Sequence, residues 1–355
     1  MEFSKLLNAI SPGKFRLLLA FIVVVYHMHM ASFLGIGHYA VYVFFVLSGY
    51  WIFKMFNEKY SQYEDGYSVY LRSRLFRLMP VYWLVLFAAV VLFCLFKDPS
   101  YGYNSLMHLN IAEIATKNFF VFGLNTIGIR YIGSAWSLDV ELQFYIVAPL
   151  LLLLARKINI ISVLVISVAL WIILYRLPES FQANGYFFFY LPYFLIGAAI
   201  YLLNIYCSEK TAIAGLVLAG ALVLANYLVP FVRNNYMLNR DAVLFGFNYH
   251  EVLVSVLTCC TIPYVTRNVR LKPAKKDGLY SSMSYVIYLL HWPLNLICLR
   301  LAKGKSYLAT GMYLLGYLII CIALTYVISA FVDKYFEDKR RQWLLTRNAK
   351  LKLAV

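Results

Sequence analysis

Residues 14–35 read Lys-Phe-Arg-Leu-Leu-Leu-Ala-Phe-Ile-Val-Val-Val-Tyr-His-Met-His-Met-Ala-Ser-Phe-Leu-Gly. Beyond Lys14 and Arg16 at its mouth, the stretch is apolar for the ~20 residues, at ~1.5 Å each, that a bilayer crossing requires. His27 follows Arg16 by eleven positions. In a helix that spacing sets the imidazole roughly 16 Å deeper than the guanidinium. An ionisable side chain near the centre of the hydrocarbon is costly unless it meets a polar partner. It is either a group working in a cavity or a histidine bonded to an adjacent helix, and this segment alone leaves both open.

The whole chain has the same character. It is 63% hydrophobic, 18% aromatic and only 14% charged. Soluble domains are nearer 45–50% apolar and ~25% charged, so a polytopic membrane protein is expected. The net charge of +16 could suit nucleic acid, but the basic residues fall in short loops beside apolar stretches. Membrane topology explains that placement, and no nucleic-acid partner is expected. The six cysteines (Cys94, Cys207, Cys259, Cys260, Cys298 and Cys321) form no Cys-x-x-Cys pair and have no histidine at ligand spacing. They read as buried thiols, with no metal site. The N-terminal apolar run is too long for a cleavable signal and lacks an Ala-x-Ala site.

Ten spans are predicted, at 15–35, 40–56, 80–97, 134–155, 158–177, 185–206, 212–232, 245–265, 280–302 and 308–332. With the N-terminus in the cytoplasm, the inside segments hold 23 of the 32 Lys and Arg residues. This predicts an all-α transmembrane bundle with both termini cytoplasmic. The hairpin carrying Arg300, Lys303 and Lys305 runs against the bias. Segment 105–124 reads as re-entrant or as an external surface helix. Residues 1–335 form one membrane domain, and 336–355 a basic cytoplasmic tail, read as a solvated helix at the lipid surface.

Polar residues inside the spans mark candidate chemistry. The second span carries Tyr42 and, near mid-depth, Ser48-Gly49, where glycine permits close helix approach and the serine has the option of bonding its own backbone. Arg72, Arg74 and Arg77 precede Pro80, which suits the first turn of the third span. Arg74 and Arg77 share a helical face. Guanidinium forks there suit phosphates, either of lipid head groups or of a phosphorylated cofactor. In the fourth span Ser137, Glu141 and Tyr145 fall at i, i+4, i+8 as one stripe, while Asp139 faces elsewhere and reads as interfacial. Glu141 should face the bundle interior, as catalytic group or structural ion pair. Tyr186 to Tyr193 form an aromatic belt suited to the interface or to stacking on a sugar. His250 and Glu251 open the eighth span without an assignment. In the ninth, Ser284, Tyr288, His291 and Asn295 form a second stripe, and Pro293 removes the donor for Leu289.

These motifs, in this order, resemble the acyltransferase-3 family of integral membrane acyltransferases. The carriers are Arg16 with His27, the Phe44–Gly49 run, Arg74-x-x-Arg77-x-x-Pro80, Ser137–Tyr145 and Ser284–Pro293, covering residues 13–335. The family's aspartate before the Phe-Phe-Val-Leu-Ser-Gly run is replaced by Tyr42. No fused extracytoplasmic hydrolase-like domain is expected, so transfer is direct or passes through a separate acyl-accepting partner protein.

The resemblance implies an acyl-CoA:glycan O-acyltransferase of the inner (cytoplasmic) membrane. Its donor would be acyl-CoA, with acetyl-CoA ahead of a succinyl donor. Its acceptor would be a cell-surface or lipid-linked glycan, with membrane lipids around it. His27 would be general base or transient acyl carrier, with Glu141, Ser48 and His291 in the catalytic set. Arg16, Arg72, Arg74 and Arg77 would hold the donor's phosphates. Tyr42, Ser137, Tyr145 and Tyr288 would contact substrate. The rival from another class is a transporter or flippase for glycan intermediates, its polar stripes lining a path.

Overall fold

The computed structural model describes residues 9–28, 36–96, 110–127, 129–177, 186–239 and 241–353. Its longer helices are α1 (Pro12–His27), α2 (Ile36–Glu58), α3 (Gly66–Phe96), α4 (Ile111–Phe120), α5 (Trp136–Ile158), α6 (Ile160–Tyr175), α7 (Tyr186–Leu202), α8 (Glu209–Leu228), α9 (Tyr249–Asn268), α10 (Asp277–Ala302), α11 (Tyr307–Val327) and α12 (Lys334–Leu353). The strand pairing among the described residues is a two-residue ladder, Val243–Leu244 with Phe247–Asn248, which leads into α9. Asn248 caps α9 by accepting from His250 N.

Each of the ten predicted spans overlaps one of these helices, α4 and α12 matching none, and residues 29–35 of the first predicted span lie outside the described part. Six helical stretches, carried by α2, α3, α5, α8, α10 and α11, are long and apolar enough to cross a membrane, and α6 and α7 are shorter apolar helices. Large aliphatic side chains such as Val165, Ile173, Leu218, Leu224, Leu315 and Ile319 face outward. Apolar surface on the outside and polar groups within is the arrangement a bilayer selects. The protein is an all-α polytopic membrane bundle.

The chain folds as two compact units, Met1–Trp51 with Leu154–Ser284, and Ile52–Leu153 with Tyr285–Val355. In the first, α2 and α7 cross at glycines on both sides. A Cβ on Gly49 would lie 1.9 Å from the Phe194 carbonyl oxygen, and one on Gly197 1.9 Å from that of Val46. Side-chain-free crossings of this kind let helices associate where lipid offers no hydrophobic drive. The start of α1 is tied down by Gly13 N donating to Asp277 Oδ1 at 3.0 Å and by Asn268 Nδ2 donating to the Ile10 carbonyl at 2.9 Å.

Several expectations change. The third span does not begin at Pro80. α3 is continuous for 31 residues from Gly66, with Pro80 inside it, so the arginine segment is helical. At ~1.5 Å per residue α3 runs ~46 Å, well beyond the ~30 Å hydrocarbon, which leaves room for its basic first half at the surface. α1 ends at His27, which therefore sits in a last helical turn rather than mid-helix. The 105–124 segment contributes a ten-residue helix, Ile111–Phe120, ~15 Å long and too short to cross; residues 105–109 lie outside the described part. Four of the cysteines are not buried: Cys94 and Cys259 are exposed, Cys207 and Cys260 half-exposed, and only Cys298 and Cys321 enclosed.

Asp139 is fully buried rather than interfacial. Its carboxylate accepts from Gly123 N, Asn125 N, Asn125 Nδ2 and Gln143 Nε2 at 2.9–3.3 Å. It fastens a tight loop in which Val121 adopts φ 57°, a conformation unfavourable for a β-branched residue. The tail helix is solvated on only part of its surface. α12 packs along α3, burying Arg340 and Leu344, pairing Arg347 with Asp65 at 2.5 Å and setting Trp343 against Phe76.

Candidate functional site

In the second unit the arginine segment divides by burial. Arg72 is exposed and Arg77 half-buried, while Arg74 is only 4% exposed. The Arg74 guanidinium lies about 6 Å from the rings of both Tyr60 and Tyr70, and Nη2 donates to Met55 Sδ at 2.8 Å. Its Nε is buried without a hydrogen-bond partner, and it makes no ion pair among the described residues. A buried cation held by π faces and a sulfur is incompletely satisfied.

Tyr60, on the loop between α2 and α3, hydrogen-bonds Ser73 Oγ at 2.8 Å. Arg340 Nη1 donates to the same oxygen at 2.7 Å. Burial alone would raise the Tyr60 phenol, but Arg74, the Ser73 bond, Arg340 and Lys59 bring it below its ordinary value. The surroundings are therefore strongly electropositive. The Arg340 charge is balanced by Glu337, two guanidinium nitrogens donating at 2.8 and 2.7 Å.

From Arg74 a line of rings leads to the carboxylate of the first polar stripe. Tyr70 meets Tyr145 edge to face at 6.5 Å, and Tyr145 OH donates to Glu141 Oε1 at 2.6 Å. Ser137 departs from this line and joins the second stripe, its Oγ 2.6 Å from Tyr288 OH. Ser134 Oγ reinforces the junction by donating to the Tyr288 carbonyl at 2.9 Å. His291 is fully buried beside Tyr288, with Nδ1 3.0 Å from the Ile287 carbonyl. A carbonyl only accepts, so in this contact Nδ1 carries a proton. Farther along α3, Phe93, Phe96, Arg130, Tyr131 and Arg300 line a small cleft of about 40 Å³.

In the first unit His27 makes the same contact, Nδ1 standing 3.0 Å from the Val23 carbonyl. Were His27 to act as a base, Nε2 would be the nitrogen to take the proton. Arg16 packs its guanidinium 5.9 Å from the Trp51 ring, and Ser48 is half-buried beside the α2–α7 crossing. Tyr42, almost fully buried, donates its hydroxyl to Glu251 Oε2 and packs against the rings of Tyr190 and Tyr193. The aromatic belt thus turns inward: Tyr190 OH donates to Tyr186 OH at 3.0 Å, and Tyr193 OH stands 2.7 Å from Ser255 Oγ.

Tyr60, Ser73, Tyr70, Glu251 and Arg340 escaped the sequence reading as site residues. Glu251 stands in an otherwise apolar stretch, a visible signal without a visible partner. Arg340 stands 267 positions from the Ser73 it touches, and nothing local marks it.

These features define an integral membrane protein with buried Arg74 and Arg340, two histidines whose Nδ1 faces a backbone carbonyl, and a fully buried Asp139 beside half-buried Glu141 and Glu251. Residues 15–332 match the acyltransferase domain of the acyltransferase-3 type. The chain belongs to that family and is a multi-pass membrane acyltransferase. No curated protein and no solved structure matches it.

Proposed function

We propose that the protein transfers an acyl group, acetyl in the first instance, from acyl-CoA to a hydroxyl of a cell-surface or lipid-linked glycan at the inner membrane. The observation that carries the donor side is Arg74, a buried guanidinium with an unfilled donor and no ion pair among the described residues. Family membership requires an acyl donor, and a donor bearing phosphates supplies the missing anion. Arg77 adds a second fork one turn along.

In the transfer, His27 Nε2 removes the acceptor hydroxyl proton as the oxygen attacks the thioester carbonyl carbon. The C–O bond forms, the C–S bond breaks, and the thiolate leaves to take up a proton as CoA thiol. Exclusion of water protects the thioester from hydrolysis. On the acceptor side the inward tyrosines around Tyr42 and Glu251 supply stacking faces and polar tips suited to a sugar. Glu251 brings a carboxylate to Tyr42, where relatives carry an aspartate.

Two same-side contacts support cytoplasmic termini. Asp65–Arg347 joins the arginine-bearing side of α3 to the tail, and Asn268–Ile10 joins the 269–276 loop to the N-terminal segment. Membranes supplied with radiolabelled acetyl-CoA should place label in glycan, and label should disappear in a His27→Ala variant inserted at the normal level. Glycan movement without label would favour a transporter and overturn the reading.

A further inference from the structure

The C-terminal helix carries a cation that the transfer chemistry above does not use. Arg340 is 8% exposed although it stands in a helix with six other basic residues. Its position is built: Nη1 donates to Ser73 Oγ, which also bonds Tyr60 OH, and Glu337 takes two of its nitrogens. Ser73 directly precedes Arg74, and Tyr60 lies beside both guanidinium groups. The two arginines therefore flank one phenol and one hydroxyl. Arg74 contributes a buried, unbonded Nε, and among the described residues Arg340 pairs with a carboxylate of its own helix. Hydroxyl, phenol and two guanidinium forks form the donor set for a phosphate. Glu337 occupies the acceptor side that such a phosphate would take.

We propose that Arg340 is a phosphate-binding residue of the donor site, with Ser73, Tyr60 and Arg74, and that Glu337 is its exchangeable internal counter-ion. The C-terminal helix is then part of the donor site and closes it. This rests on the reading of Arg74 as a donor contact. The ligand chemistry is a phosphomonoester or diphosphate, which a nucleotide-bearing donor and an anionic lipid head group share.

The test uses the full chain in nanodiscs, of zwitterionic lipid alone or with added anionic lipid, and measures CoA binding directly. In zwitterionic discs Arg340→Ala should weaken CoA about 10- to 100-fold, the range of a lost charge-assisted bond. Arg340→Lys should recover only part of that. Glu337→Gln should tighten CoA, because it removes a competitor; a purely structural Glu337 would give weaker binding instead. Arg347→Ala breaks the outer clamp on the same helix and should stay within about 2-fold, which excludes undocking as the cause. Arg74→Ala separates the two levels. Weaker CoA in Arg74→Ala with unchanged CoA in Arg340→Ala overturns the Arg340 assignment alone. Unchanged CoA in both overturns the donor reading itself. A loss in Arg340→Ala confined to retention of anionic lipid makes the site a head-group site and overturns the proposal.

Discussion

At position 27 Nδ1 stands 3.0 Å from the Val23 carbonyl, so Nε2 is the nitrogen that would take the proton if His27 is the base. The same holds at position 291, so the two histidines compete for the role on equal local geometry. His27→Ala should leave insertion and CoA affinity near normal and reduce turnover per folded molecule by ~10²–10⁴. Thermal melting in detergent, run beside the assay, identifies a merely structural effect. A stronger turnover loss in His291→Ala would transfer the role to that residue. At Arg74 the expectation differs. Arg74→Ala should raise the KM for acyl-CoA by about 10- to 100-fold while glycan KM stays within about 2-fold, since the loss is of one charge-assisted contact. Arg77→Ala should do the same less strongly, because that side chain is half-exposed and better screened. Asp139 illustrates the opposite kind of buried charge. With four donors on its carboxylate it is satisfied, and its role is to hold a loop.

Among the elements, α12 is the one whose behaviour the environment should change most simply. Glu337 lies beyond the apolar stretch that ends at Asp333. Burial opposes its ionisation, yet Arg340, Arg341 and Arg77 hold its carboxyl down at about 2, from an ordinary value of 4.5. A folded value below the unfolded one gives stability that is present above about 4.5 and is lost as pH falls toward 2. Because Arg340 and Arg341 pair with Glu337 inside α12, the α12 helix itself should be intact at pH 6 and weaken progressively below pH 4.5. Limited proteolysis of the tail across that range measures it, and Glu337→Gln should flatten the profile. Both Arg340 and Arg341 share the one carboxylate, so deleting Arg341, which is exposed, should shift the profile only slightly.

For the molecule as a whole, the ten helices at the predicted spans place Gly37 and Lys275 on opposite sides of the bilayer if both termini are cytoplasmic. Single cysteines at these positions, in a background lacking the six natural thiols, should label with an impermeant reagent from outside at 37 and only after permeabilisation at 275. Outside labelling at both would mean a crossing between the two positions is missing, with α6, of 16 residues, the first to re-examine. Membrane class, helix positions and family were all legible along the chain, because each rests on local quantities. Hydropathy over ~20 residues marks a span, and motif residues at fixed spacing, Arg16 with His27 or Ser137 with Glu141 and Tyr145, mark its chemistry. Tertiary structure decided which of those residues meet. Arg74 is enclosed and Arg72 is not, Tyr42 meets a carboxylate 209 positions away, and Arg340 reaches Ser73 across 267. Periodicity assigns a residue to a face of its own helix, but it contains no term for the partner that face will bury. Burial and pairing, which set how a charge behaves, are properties of the packed chain alone.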